Sequence, residues 1–343
     1  MKTRDPFFDI VKLLAIFMVV FRHVMFSSDT MLYPTWVSNA TVGMNMPVFF
    51  LLSGWFAWPT IATHDWYKLG RHLKSYMWPT VSLIVIFSCV QPFYDGMSWN
   101  FKDVFVSSVK TWLFGPWFIW VLCECYLIMF VAHSAGGRLQ RTLAIMVAVS
   151  VFLMFVPECR GIVYKLSLRH MLPYFVIGAV FRNLEIRPWE NSMIGSFSLG
   201  VFLLVVLLEG DASKNGMSFY SGDSSWRAFL SWQGAVTFFA RPIVGVVGSI
   251  GFMWGIKRIL SVALMVRPLN VAVDVLAKGG TLTLAIYLLH QKLLAWSVGI
   301  CPELAATRLN ILATALVLFS FCWIISEVTV SRIPFTRKWI WGK

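Results

Sequence analysis

The feature that most limits the fold of this chain is a series of ten apolar stretches separated by short polar segments. An α-helix needs roughly 20 apolar residues to cross a bilayer, and most of these stretches approach that length. They cover residues 7–26, 41–59, 77–94, 114–132, 139–156, 171–181, 193–208, 228–256, 279–297 and 309–330 of the 343. The sequence therefore predicts an all-α polytopic membrane protein with about ten transmembrane helices, forming a single membrane-embedded domain over residues 1–343.

Composition supports this class, and the distribution of positive charge predicts the orientation. Only 13% of the residues are charged, against about 25% in an ordinary soluble domain. The net charge of +13 lies mainly in short loops, which points to membrane topology and not to nucleic acid as a partner. Positive loops are retained in the cytoplasm, and with the N-terminus inside, 17 of the 29 Lys and Arg residues lie on that side and 8 on the other. Both termini are therefore predicted to be cytoplasmic.

Charged side chains in the first apolar stretch are candidate functional groups, because each costs roughly 2.5–3.5 kcal/mol to insert near the bilayer centre. Asp9 and Lys12 are three residues apart on one helical face and can form an ion pair. Lys12 and His23 are about three turns apart, so they project from the same face at different depths. In the alternative interpretation these residues only anchor the helix, Asp9 and Lys12 at the inner interface and Arg22 and His23 at the outer one.

Four other polar residues lie in predicted spans and are candidate functional groups, three of them with a structural interpretation as well. They are Asn45, Ser53, Glu124 and His290. Glu124 either serves the chemistry or pairs helices, and Ser53 with Gly54 either binds substrate or lets helices pack closely. His290 is either a site residue or an interhelical hydrogen-bond donor. No cluster has the spacing of metal ligands, so no metal site is predicted.

Taken together, these residues resemble the membrane-bound acyltransferase-3 family, whose members acylate bacterial surface polysaccharides and related glycans. That family carries a basic residue, ten further residues and a His in its first helix, with an Asp three residues before the basic one; Asp9, Lys12 and His23 have this spacing. Its other motifs are matched in order by Val48 to Gly54, a basic inner loop from Arg71 to Pro79, Trp117 and Phe118 leading to Glu124, Pro173 to Gly178, and Tyr287 to His290. Two departures stand out, since Lys12 replaces the usual Arg and Lys74-Ser75-Tyr76 stands where adjacent arginines are frequent.

The resemblance implies transfer of an acyl group, most simply acetyl, from acyl-CoA to a glycan hydroxyl. His23 is expected to be the general base, because imidazole suits proton transfer near neutral pH. Lys12 and Glu124 are expected to assist it. The residues expected to bind donor or acceptor are Asp9, Arg71, Lys74, Asn45, Ser53, Trp117, Tyr287 and His290.

These expectations also define partners and location. Acyl-CoA is expected as a co-substrate with no permanently bound cofactor, and the acceptor as a cell-surface or lipid-linked glycan. The lipid bilayer is the other partner, in a multi-pass protein of the bacterial inner membrane. The alternative is a transporter or flippase for a glycan or an acyl metabolite, in which His23, Glu124 and Lys12 form a proton relay.

Overall fold

The computed structural model describes residues 5–27, 32–96, 100–155, 164–209 and 232–342, and these residues form helices and no strands. The helices are α1 (Pro6–Phe26), α2 (Thr35–Ala62), α3 (Trp66–Tyr94), α4 (Phe101–Phe114), α5 (Trp117–Gly136), α6 (Leu139–Phe155), α7 (Tyr164–Asn183), α8 (Ser192–Glu209), α9 (Trp232–Ala263), α10 (Arg267–Gly280), α11 (Thr283–Ile300), α12 (Arg308–Glu327) and α13 (Pro334–Trp339). The predicted all-α class is confirmed, since the described parts of the predicted apolar stretches are helical except at residues 115–116 and 281–282, where 114–132 and 279–297 cross from one helix to the next.

Five segments of the described chain are long and apolar enough to cross a membrane. They are Trp36–Ala62, Trp66–Tyr94, Trp117–Gly136, Ala240–Ala263 and Arg308–Arg332. Helices α10 and α11 meet at 71° and make a sixth as a bent pair, while α6 and α8 are apolar but shorter. Helix α1 has the length of a span but contains Asp9, Lys12 and Arg22. The chain is thus a multi-pass membrane protein with several apolar spans.

The prediction of a basic inner loop from Arg71 to Pro79 is wrong, because this segment belongs to the first half of α3. The carboxylate of Asp65 accepts a hydrogen bond from the Lys68 amide at 2.9 Å, which caps the helix and starts it at Trp66. Helices α4 and α10 were also not predicted. Both carry charged residues among their apolar ones, so neither forms a continuous apolar stretch.

Helix α1 is the central element of the bundle. The Asp5 carboxylate accepts a hydrogen bond from the Phe7 amide at 3.0 Å, and Pro6 occupies the first turn, so the helix begins there. Helices α2, α9, α10, α11 and α12 all contact it. Val11, Val20 and Val24 are fully buried in these contacts. The polar residues of α1 are therefore held among helices of the protein.

Glycines bring two pairs of backbones into direct contact beside α1. A Cβ atom on Gly54 of α2 would collide with the carbonyl oxygen of Phe175 in α7, and one on Gly178 would collide with the carbonyl oxygen of Leu51. The structural interpretation of Gly54 as a close-packing residue is therefore confirmed. Gly280 does the same at the bend between α10 and α11, where a Cβ atom would collide with the Asp9 carbonyl oxygen.

Candidate active site

Two neighbouring cavities meet at Lys12. Their volumes are ≈ 250 Å³ and ≈ 590 Å³. Both are lined by Lys12 of α1, Phe49 and Ser53 of α2, and Tyr76 of α3. A ligand that occupies both cavities therefore lies against these four side chains, of which Lys12 carries the charge.

The first cavity, of ≈ 250 Å³, extends from Lys12 toward α5 and α11. Its wall is mixed, with apolar side chains such as Ile16 and Phe118. The polar residues that line it besides Lys12 are Ser53, Ser75, Tyr76, Thr281, Thr283 and Tyr287. An apolar pocket with a few hydroxyl groups suits a small ligand that must be oriented. Ser53 and Tyr287 were predicted as site residues, and the structure brings both to this cavity.

Lys12 and Asp9 form the ion pair that their spacing predicts. The Lys12 Nζ atom lies 2.6 Å from Asp9 Oδ1, and the Asp9 side chain is only 5% exposed. Lys12 keeps 21% of its side chain exposed, at the junction of the two cavities. The carboxylate therefore holds the ammonium group in place.

The second cavity, of ≈ 590 Å³, brings two arginines to the site that the sequence did not predict there. Arg182, near the end of α7, and Arg187, beyond it, both line this cavity. Their guanidinium carbons lie 5.2 Å and 5.9 Å from the ring centre of Trp55. Arg187 also forms an ion pair of 3.4 Å with Glu190. In the sequence both arginines were counted only as cytoplasmic positive charge, and nothing in their spacing indicated a site.

His23 lies near the opposite end of α1 from Asp5 and faces His290 of α11. The two imidazole centres are 5.2 Å apart with a 46° tilt between the rings. Gln291 Nε2 lies 3.3 Å from His23 Nε2. Tyr287 connects this pair to the first cavity, because it lines that cavity and its ring centre is 5.7 Å from that of His290.

Arg71 and Lys74, predicted to bind the donor, lie on α3 outside the described lining of both cavities. Both are exposed. The Arg71 guanidinium carbon lies 5.7 Å from the Tyr67 ring centre, and the Lys74 Nζ atom lies 5.8 Å from that of Trp78. The two residues that follow Lys74 in the chain line the first cavity instead. A role for Arg71 and Lys74 in donor binding stays a prediction.

Three more predicted site residues lie apart from the described cavity walls. Glu124 is half-buried two residues after the cavity residue Leu122, so it occupies a different face of α5. Asn45 is buried and accepts a hydrogen bond from the Met46 amide at 2.6 Å. Trp117 begins α5 and contacts the next residue, Phe118, at 6.3 Å between ring centres. The roles expected of these three residues stay predictions.

Three kinds of charged or titratable group therefore lie in order along the length of α1. The two arginines at the second cavity come first, Lys12 follows where the cavities adjoin, and the His23–His290 pair lies beyond the first cavity. Guanidinium groups bind phosphate, an ammonium attracts an anion, and an imidazole moves a proton. The arrangement can thus hold an anionic donor beside Arg182, Arg187 and Lys12, and remove a proton about three helical turns farther along α1.

Comparison with known proteins identifies the family. Searches of curated proteins and of solved structures found no match. The acyltransferase-3 family model, described as an acyltransferase domain, matches residues 5–327. This range contains Lys12, Arg182, His23 and His290. The resemblance indicated by the sequence motifs is confirmed, and the chain belongs to the acyltransferase-3 family of membrane acyltransferases.

Proposed function

We propose that this protein transfers an acyl group, acetyl in the simplest case, from cytoplasmic acyl-CoA to a hydroxyl of a cell-surface or lipid-linked glycan. The observation that carries the proposal is the position of Lys12 at the junction of two cavities, with arginines on one side and His23 farther along the same helix. Membership of an acyltransferase family favours this activity over the transporter considered from the sequence.

The donor binds with its phosphates in the second cavity. Arg182 and Arg187 supply guanidinium groups there, and such groups form paired hydrogen bonds with phosphate oxygens. The rest of the donor passes Lys12, which lines both cavities. The Lys12 ammonium attracts the anionic donor, and the arm of the donor runs through the first cavity, past Tyr287, so that the thioester reaches His23 about three helical turns farther along α1.

His23 is the general base of the reaction. The acceptor oxygen attacks the thioester carbonyl carbon while His23 takes the hydroxyl proton. The tetrahedral intermediate then collapses, the carbon–sulfur bond breaks, and the leaving thiolate takes the proton back from the His23 imidazolium. The products are the glycan ester and free coenzyme A, and His23 returns to its neutral form. No permanently bound cofactor takes part.

The orientation follows from the distribution of charge. We place about ten crossings in a bacterial inner membrane with both termini in the cytoplasm, because 17 of the 29 Lys and Arg residues then lie inside. In this orientation the second cavity, with Arg182 and Arg187, faces the cytoplasmic supply of acyl-CoA. His23 lies toward the outer side, from which the glycan reaches it.

Membrane vesicles of both orientations test this function. We expect radiolabelled acetyl-CoA to label the glycan fraction of inverted vesicles that contain the protein, and not that of right-side-out vesicles, since coenzyme A esters do not cross the bilayer. His23→Ala should lower the rate about a hundredfold or more. The matched control is Arg22→Ala, which should change the rate little. The Arg22 guanidinium lies over the Phe26 ring, 4.8 Å from its centre, and is given no part in the reaction. A near-normal rate with His23→Ala, or labelling only in right-side-out vesicles, contradicts the proposal.

A further inference from the structure

His290 is a buried imidazole that the acyl transfer described above does not use. It has no exposed surface. Its Nδ1 atom lies 2.7 Å from the carbonyl oxygen of Tyr287 and 3.2 Å from that of Ile286. Carbonyl oxygens only accept hydrogen bonds, so Nδ1 carries the proton and donates it. In a neutral imidazole the other nitrogen, Nε2, is then a hydrogen-bond acceptor, and the backbone of α11 fixes this tautomer.

The Nε2 atom of His290 is an acceptor whose hydrogen-bonding capacity the described residues do not meet. His290 Nε2 is buried and makes no hydrogen bond to any residue that the structure describes. A buried acceptor without a partner destabilises the folded protein, so we expect Nε2 to gain a hydrogen-bond partner in the working site. His23 is that kind of group, because the ring nitrogen that does not act as the base carries a hydrogen to donate, and its ring centre lies 5.2 Å from that of His290.

We propose that His290 is a positioning residue whose Nε2 accepts a hydrogen bond from the His23 imidazolium. The inference rests on the proposed role of His23 as general base. Two imidazoles joined by one hydrogen bond of about 3 Å between nitrogens have ring centres at about the separation seen here. In this interior of low dielectric, the bond stabilises the protonated base at the moment when it forms.

The histidine pair then has the arrangement of a base with its orienting group. In acyl transfer the base is commonly oriented by a third side chain that accepts its second N–H. His290 supplies this acceptor without bringing a second charge into the interior. Its ring stays neutral, and its Nδ1–H donates to the Tyr287 and Ile286 carbonyl oxygens. Gln291 lies next to His290 on α11, and its Nε2 atom, 3.3 Å from His23 Nε2, helps to hold the His23 ring.

Two substitutions of His290 separate positioning from packing. His290→Phe keeps an aromatic ring but removes the acceptor, and we expect kcat to fall at least about tenfold while the KM for acetyl-CoA changes less than about threefold. His290→Gln can place an amide oxygen near the position of Nε2. We expect this variant to keep most of the wild-type kcat. If the Phe ring does not fit, His290→Met carries the same test.

A double-mutant cycle decides whether His290 acts through His23. In the His23→Ala background, His290→Phe should lower the residual transfer rate no further, because the group that it positions is gone. An equal proportional loss in both backgrounds, or failure of His290→Gln to restore kcat in a folded protein, overturns the inference. A near-normal rate with His23→Ala alone overturns the proposed function. Normal transfer by His290→Phe, with His23 still required, overturns the inference on His290 and leaves that function intact.

Discussion

Lys12 offers a test of whether the charge at the junction of the cavities serves the chemistry or only neutralises Asp9. Lys12→Met keeps the approximate length of the side chain and removes the charge. Lys12→Arg keeps the charge and supplies the residue usual in the family. Asp9→Asn combined with Lys12→Met removes both charges at once. We expect Lys12→Arg to retain most of the transfer rate, and Lys12→Met and the double variant to lose it.

The geometry of the pair gives the expected effect on stability. The ammonium and carboxylate are 2.6 Å apart, and the Asp9 side chain is 5% exposed. Breaking a buried pair by removing one partner costs about 3–5 kcal/mol, because the buried carboxylate loses the cation beside it. The Lys12 side chain is 21% exposed, so solvent reaches the pair and the lower end applies. Lys12→Met should therefore reduce the free energy of unfolding by about 3 kcal/mol, and the double variant should recover most of it.

Two measurements separate folding from chemistry. Thermal stability in detergent, followed by size-exclusion chromatography after heating, reports the loss and recovery of folded protein. Transfer from radiolabelled acetyl-CoA in inverted vesicles, normalised to folded protein, reports the chemistry. A double variant that is stable but inactive supports a direct role for Lys12. If the double variant transfers acetyl at the wild-type rate, Lys12 only neutralises Asp9 and does not belong to the catalytic group.

Three further predictions test the donor site, the packing and the topology. Arg182→Ala should raise the KM for acetyl-CoA about tenfold to a hundredfold, because it removes a charge-assisted hydrogen bond to the donor. Lys74→Ala is the control, since Lys74 lies outside both described cavity walls, and it should change the KM less than about twofold. Equal changes of KM in the two variants would contradict the donor site at Arg182. Gly54→Ala should cost at least about 1–3 kcal/mol in thermal-stability assays. Gly70→Ala, where a Cβ atom meets nothing within 4 Å, should be neutral or stabilising; similar losses in both would refute the close-packing account. A reporter fused after Lys74 should be cytoplasmic and one after Ser221 should not, and cytoplasmic reporter activity at Ser221 would rule out the ten-helix topology.

The fold was predictable where helices are continuously apolar and less so where they are amphipathic. Hydrophobic length locates α5 and α12 within a few residues, because burial in lipid requires an uninterrupted apolar stretch. Helix α10 was missed because polar and apolar residues alternate along it. The start of α3 was missed because its basic first half looks like a loop, whereas the capping carboxylate of Asp65 gave a local signal for a helix.

The site was predictable only for contacts within one helix. Asp9 and Lys12 are one turn apart, so their spacing is enough to predict the pair. The contact of His23 with His290 joins helices that are distant in the chain, and no local pattern reports it. Helical periodicity places Glu124 and Leu122 on different faces of α5 from the sequence alone, but only the structure shows that the cavity lies on the Leu122 face.

The glycine contact between α2 and α7 gives the donor site a fixed length. Gly54 follows Ser53 of the cavity wall, and α7 carries Arg182 one turn beyond Gly178. Because backbone packs on backbone here, there is no side chain between the two helices that changes rotamer to adjust their separation. In the proposed function, a donor anchored at Arg182 must have an arm that passes Lys12 and reaches His23. Under the proposed function, the donor is therefore selected by its length, which all coenzyme A thioesters share, and the ≈ 250 Å³ cavity beyond Lys12 distinguishes among acyl groups.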